Sequence, residues 1–252
     1  MLKSITVKLG KPDSLAPRKV DLNRLNVFVG PNNSGKSLLI REICNFFRQP
    51  NLQFKIMEDA EVDLGALGFA DYVARYKQDP SEGEQQYPDH IIIQNDSGRN
   101  QVHVPQLKAW FENPKSNFSQ YKQTIASPYI KYLDGASRLQ LTQDRPMGDL
   151  LKTPSNPLQK IFTNQELLKK IRNILFDAFS QWLVIDPSNG GNLRLSLSDE
   201  LPKPELEKSL SSDALEFYKT CTQLNNCSDG IKSFSGMIIE IMSGDSKTII
   251  ID

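Results

Sequence analysis

Apolar and polar residues alternate at the start of the chain, with Leu2, Ile5, Val7 and Leu9 set among polar neighbours. "GKPDSLAP" breaks the pattern and "RKVDL" resumes it, which predicts a hairpin of two edge strands. The near-continuous apolar run "LNVFVG" then predicts a buried parallel strand ended by a turn at Gly30. From Gly35 onward, Leu38, Leu39, Ile43, Phe46 and Phe47 recur at helical spacing, so strand, loop and helix follow one another directly. From 51 to 130 the pattern loosens and reads as an insertion or irregular lobe, although "HIIIQNDSGRNQVHV" has the form of a hairpin turning about Asp96 to Arg99. In "TNQELLKKIRNILFDAFSQWL", Thr163 and Glu166 have capping-box spacing, and Leu167, Leu168, Ile171, Leu175 and Phe179 form one stripe. Lys169, Lys170 and Arg172 read as the solvated face of that helix, and 131–227 as a helical lobe. The last fifty residues predict a helix near 213–223, a break at "NNCSDG", a helix to Met242, a turn at "SGDS" and a buried strand "TIIID". The fold class expected is α/β, with a parallel sheet core, an antiparallel hairpin at the start and a helical lobe.

Composition narrows the function classes. The 252 residues carry 30 basic and 30 acidic side chains, so no global field draws the chain to nucleic acid or an anionic surface, and any DNA contact would be a local patch. "LKSITVKL" lacks the form of an export signal, and no run approaches the ~20 apolar residues that span a bilayer, so a cytoplasmic protein with no membrane contact is expected. Cys44, Cys221 and Cys227, with His90 and His103, do not have the spacing of a zinc site or a disulfide framework and read as inert thiols.

Candidate chemistry lies in "GPNNSGKS", which matches G-x-x-x-x-G-K-[ST] from Gly30 to Ser37. Gly30 and Gly35 allow backbone angles and close approach that side chains would block, so that successive N–H groups along Asn32, Asn33 and Ser34 and in the helix turn at Leu38 can face an anion, with Pro31 counted among the nucleotide-binding positions of the same loop. The helix beginning near Gly35 adds unsatisfied N–H groups and the positive end of its dipole. Lys36 is suited to β and γ phosphates, and the Ser37 hydroxyl to Mg²⁺. The plain alternative is a glycine turn entering a helix beside an incidental lysine. No N-K-x-D tetrapeptide is present to read guanine, which favours ATP.

"NVFVGPNNSGKS" after a short antiparallel hairpin resembles the amino-terminal half of P-loop ATPases of the RecF/SMC and OLD-like branch, whose heads are similar to those of ABC transporters. "CSDGIKSFSG", opening a helix about twenty residues before a strand that ends in Asp, is similar to the ABC-type signature followed by Walker B. The resemblance implies that Ser228 and Gly230 meet the γ-phosphate of a nucleotide held by another protomer, and that Asp252 supports Mg²⁺. It also implies a Gln or Arg beside the first lobe, for which Arg138, Gln140 and Gln143 are candidates. The family's Glu after the Walker B Asp and its switch histidine are not found, since the sequence stops at Asp252 and neither His90 nor His103 is placed to substitute.

Three functions follow as expectations. The first is an incomplete ATPase head, truncated or split, that dimerises with nucleotide and serves DNA repair, chromosome maintenance or anti-phage defence. The second is a non-catalytic nucleotide-binding regulatory module completed by a partner chain. The third is a transporter-type ATPase subunit, weakened by the long span from Lys36 to Asp252 and by the departure of "NCSDGIK" from LSGGQ.

Overall fold

The computed structural model describes residues 2–8, 16–49, 52–65, 67–95, 98–152 and 154–252. The turn expected after Leu9 and the tip at Asp96 and Ser97 lie outside the described residues. The chain is mixed α/β and divides into two compact units, residues 1–132 with 246–252, and residues 133–245.

In the first unit, β1 (Leu2–Val7) pairs antiparallel with β2 (Arg18–Asp21), as the alternation predicted. It is not an edge strand, because β3 (Met57–Val62) pairs antiparallel along its other side. Ile5 and Val7 on β1 and Met57, Ala60 and Val62 on β3 are buried, whereas β2 is exposed throughout. Helix α1 (Lys36–Arg48) contributes Leu39, Ile43, Phe46 and Phe47 to the same core. Four of the five apolar positions expected to mark its inner face are therefore buried, Leu38 being half-buried.

The chain continues through α2 (Phe69–Tyr76), β4 (Lys77–Gln78), β5 (His90–Asn95), β6 (Gly98–His103), α3 (Val104–Glu112) and α4 (Phe118–Gln120). A π-helical turn Tyr121–Ala126 and a 3₁₀ turn Ser127–Tyr129 lead into β7 (Ile130–Leu133). Strands β4, β5 and β6 form a second antiparallel sheet, and the predicted hairpin is β5–β6. Tyr72, Ile93, Leu107, Tyr121 and Ile125 share one apolar cluster with Ile5 and Phe47, so the segment 51–130 has no separate core. The end of the chain returns as Thr248–Ile251 beside β7, with the Lys247 amide donating to the Tyr129 carbonyl at 2.9 Å. Ile250 packs on the core and Ile251 is exposed, so this strand is half-buried rather than buried.

A buried parallel strand does not form over Leu22–Gly30. Leu22 and Phe28 pack on the core, but Leu25, Val27 and Val29 are 82, 73 and 85% exposed. An apolar run becomes a buried strand only if a neighbour takes its edge and its second face is covered. No described strand does so here. Among the described residues of this unit no parallel core stands out either, since both three-stranded sheets are antiparallel and the remaining pair is two-stranded.

The second unit contains α5 (Gly135–Gln140), β8 (Arg145–Pro146), α6 (Pro157–Thr163), α7 (Gln165–Phe179), β9 (Trp182–Asn189), β10 (Asn192–Ser198), α8 (Ser212–Thr220), β11 (Thr222–Gln223) and α9 (Asp229–Ser243). Alongside its helices it holds a four-stranded antiparallel sheet built on the β9–β10 hairpin, which turns at Gly190 and Gly191 with positive φ. Leu168, Ile171 and Leu175 of the predicted α7 stripe are buried with Leu183, Leu193 and Leu195 of that hairpin. The cap of α7 is Asn164, whose side chain accepts from the Leu167 amide at 3.0 Å. Thr163 instead ends α6 and donates to the Gln159 carbonyl at 2.8 Å, so the expected Thr163–Glu166 box does not form. Lys169 and Lys170 face solvent, but Arg172 is only 8% exposed, donates to the Leu183 carbonyl at 2.7 Å and is ion-paired with Glu207. The long aliphatic stem lets Arg172 bury against the hairpin while its fork reaches acceptors.

Candidate functional site: the glycine-rich loop

The loop Gly30–Ser37 leaves the extended segment after Leu22 and ends in α1. Two of its residues have left-handed backbone, Asn33 with φ 62° and Gly35 with φ 89°. Asparagine tolerates this region better than most side chains, and glycine enters it without penalty. Gly30 is held by a different constraint, because a Cβ there would lie 2.9 Å from Ser34 Oγ. At Gly35 a Cβ would lie 2.5 Å from Ile56 Cδ1, so the irregular segment leading into β3 forms the floor under the loop. Gly35 is also the N-cap of α1 and offers no side-chain acceptor, which leaves first-turn N–H groups of the helix without a capping oxygen.

Lys36 folds back across the loop. Its ammonium donates to the carbonyls of Gly30 at 2.8 Å and Pro31 at 2.6 Å, and approaches Ser34 Oγ at 3.4 Å. Gly30, Pro31, Ser34 and Lys36 are thus brought to one point, while Pro31, Asn32, Asn33, Ser34 and Ser37 are exposed and Leu38 is half-buried. An ammonium held by neutral carbonyl and hydroxyl oxygens can exchange them for anionic oxygens, which bind it more strongly.

Beneath the loop lies a residue that sequence reasoning missed. Glu42 is 4% exposed on the inner face of α1, and its carboxylate accepts from the amides of Lys55 at 2.6 Å, Ile56 at 2.9 Å and Met57 at 2.7 Å. These bonds fasten α1 to the segment that contacts Gly35. A charged residue among Leu39, Ile43 and Phe46 on the apolar side of a helix is the signal that could have found it.

The other predicted positions divide between the two units. Asp252 lies in the same unit as the loop and accepts from the Tyr132 hydroxyl at 3.1 Å. Ser228 and Gly230 belong to the second unit. Ser228 is the N-cap of α9, with its hydroxyl 3.5 Å from the Ile231 amide, and Asp229 pairs with Lys232 at 2.8 Å. A Cβ on Gly230 would meet nothing closer than Ser228 Oγ at 4.0 Å, so local packing does not require glycine there. Arg138 donates back to the Asp134 carbonyl at 3.3 Å, and Gln140 and Gln143 close the turn after α5.

No cluster of three or more His, Cys, Asp or Glu side chains able to hold a metal occurs among the described residues.

No protein-family model matches this chain, and no curated protein matches it. At the level the fold defines, this is a mixed α/β chain with several small sheets, and no described helix is long and apolar enough to cross a membrane.

Proposed function

We infer that the chain binds ATP with Mg²⁺ through Gly30–Leu38 and works as a P-loop ATPase head of the ABC-like RecF/SMC/OLD type. The observation that carries this reading is the loop itself: left-handed Asn33 and Gly35, a helix start without a side-chain cap, and the Lys36 ammonium at their centre. Such a nest with a helix start is suited to phosphate, and lysine adds the matching charge. In this reading Ser37 and Asp252 hold Mg²⁺, which supplies charge neutralisation to the β and γ phosphates. Ser228 and Gly230 contribute a hydroxyl and a backbone approach at a helix start, toward the nucleotide of a second protomer. Nucleotide-dependent dimerisation serving a DNA-related process is the role the resemblance favours.

A second reading, a nucleotide-binding regulatory module completed by a partner chain, draws on the exposed Leu25, Val27 and Val29 immediately before the loop. Three exposed apolar side chains at alternate positions of one short segment are suited to a partner surface. Both readings require nucleotide binding, and both are tested by isothermal calorimetry of Mg-ATP with the parent chain and Lys36→Ala. Binding by the parent and loss of at least tenfold in the variant is expected; equal affinity, or none in either, overturns the assignment. Sedimentation velocity then separates the two, since ATP-dependent self-association favours the dimerising head and an unchanged monomer favours the partner-completed module.

A further inference from the structure

The chain has two histidines, thirteen positions apart, and the β5–β6 register sets them directly opposite each other. The Val104 amide donates to the Asp89 carbonyl at 2.8 Å, one step beyond the pair, and the His90 amide turns back to the Tyr87 carbonyl at 3.2 Å. His90 and His103 therefore occupy a non-hydrogen-bonded position of the ladder, where opposed side chains approach most closely. Their ring centres are 5.1 Å apart and the ring planes are inclined by 46°.

That spacing suits a shared ion. Metal-bound imidazole nitrogens lie about 2.0–2.1 Å from Zn²⁺ and the ring centre about 1.2 Å further, so two such rings at about 109° have centres about 5.2 Å apart. The second requirement, orientation of the ligand ring, is met at His90. Its Nδ1 lies 2.7 Å from the Pro88 carbonyl oxygen, an acceptor only, so Nδ1 carries the proton and Nε2 the lone pair. A histidine that donates one ring N–H to a backbone carbonyl while its other nitrogen binds metal is the usual outer-shell arrangement. The His103 ring makes no hydrogen bond among the described residues.

We propose that His90 and His103 form a two-histidine site for a borderline transition-metal ion, of the class Zn²⁺, Cu²⁺ or Ni²⁺. Neutral imidazole selects these ions over Mg²⁺, which takes oxygen ligands, so the site is chemically independent of the nucleotide reading. Both histidines also line a cavity of about 350 Å³, together with Asn95, Asn100, Gln106 and Trp110. Among the described residues no carboxylate lines this cavity, so two neutral ligands leave the ion's charge uncompensated by them. The remaining coordination positions accordingly go to water, hydroxide or a small anion.

The test uses the full chain without a histidine tag, stripped with a chelator and titrated calorimetrically with Cu²⁺, Ni²⁺ and Zn²⁺ in the presence of excess Mg²⁺. One ion per chain is expected, Cu²⁺ the tightest, with two-nitrogen hyperfine structure in the Cu²⁺ electron paramagnetic resonance spectrum. His90→Phe and His103→Phe keep an aromatic ring in each half of the pair, so the hairpin can fold without the ligands, and circular dichroism checks that it does. Each is expected to weaken the ion at least tenfold. Absence of binding by the parent chain, parent-like affinity in either folded variant, or loss in only one of them overturns the site.

Discussion

Replacing Glu42 by alanine removes the fastening between α1 and the segment under the glycine-rich loop. Its carboxylate accepts from three backbone amides at 2.6, 2.9 and 2.7 Å. Lys55 is exposed, so water can replace the lost acceptor there, but Ile56 is half-buried and Met57 buried. Leaving a buried donor without a partner costs about 1–3 kcal/mol, so two orphaned amides make the loss about 2–6 kcal/mol, toward the lower end where water enters. Glutamine retains one acceptor oxygen but sets an NH₂ group against a donor, and should cost about half as much. A loss of this size is a large part of the roughly 5–15 kcal/mol that typically holds a domain folded. The chain carries one tryptophan in each unit, Trp110 and Trp182, so a Trp182→Phe background leaves fluorescence reporting on the first unit alone. Urea unfolding in that background measures the change as a shift in midpoint at constant slope. Because Ile56 Cδ1 sits where a Gly35 side chain would go, Glu42→Ala should weaken Mg-ATP binding as well. A loss below about 1 kcal/mol for alanine would refute the clamp, since it would mean the amides find equivalent partners without the carboxylate.

Gly35→Ala places a Cβ 2.5 Å from Ile56 Cδ1 at φ 89°, and should cost about 1–2 kcal/mol from the left-handed backbone alone, read by the same unfolding assay, with a parallel fall in ATP affinity by calorimetry. Arg172→Met leaves Glu207 and the Leu183 carbonyl without their donor and should destabilise the second unit by about 3–5 kcal/mol, while the double change Arg172→Met with Glu207→Leu should recover much of it. Equal losses in single and double variants, read from Trp182 fluorescence, would show that the ion pair is not the cause. The Arg99 guanidinium, then the Ser81 amide, hold the Glu84 carboxyl down at about 2. Its folded form thus favours the carboxylate: this contribution to stability is present above the usual glutamate range and is lost as pH falls toward about 2. Carbon-13 titration of the carboxyl should show that low midpoint, and Arg99→Gln should move it up toward the ordinary value; an unmoved midpoint would refute the assignment to Arg99.

Local rules made much of this chain legible before any packing was known. The β1–β2 alternation, the Gly30–Ser37 loop, the α1 stripe, the β5–β6 hairpin and the α7 stripe all depend on spacings of a few residues along one element. The β9–β10 hairpin is equally readable from the alternation in "NLRLSLS" and the glycine pair before it. What local pattern could not supply was the identity of distant neighbours. "LNVFVG" has the composition of a buried strand, yet pairing and cover must come from elsewhere in space, and Leu25, Val27 and Val29 stay exposed without them. Likewise, Arg172 has the spacing of a solvated charge but meets Leu183 and Glu207, and Glu42 finds amides thirteen to fifteen residues away. The histidines are two isolated letters until one register sets them face to face. Helical and turn preferences are properties of a short stretch, so the sequence determined them by itself; burial of charge, strand neighbours and side-chain constellations depend on three-dimensional closure, which only the tertiary structure decided.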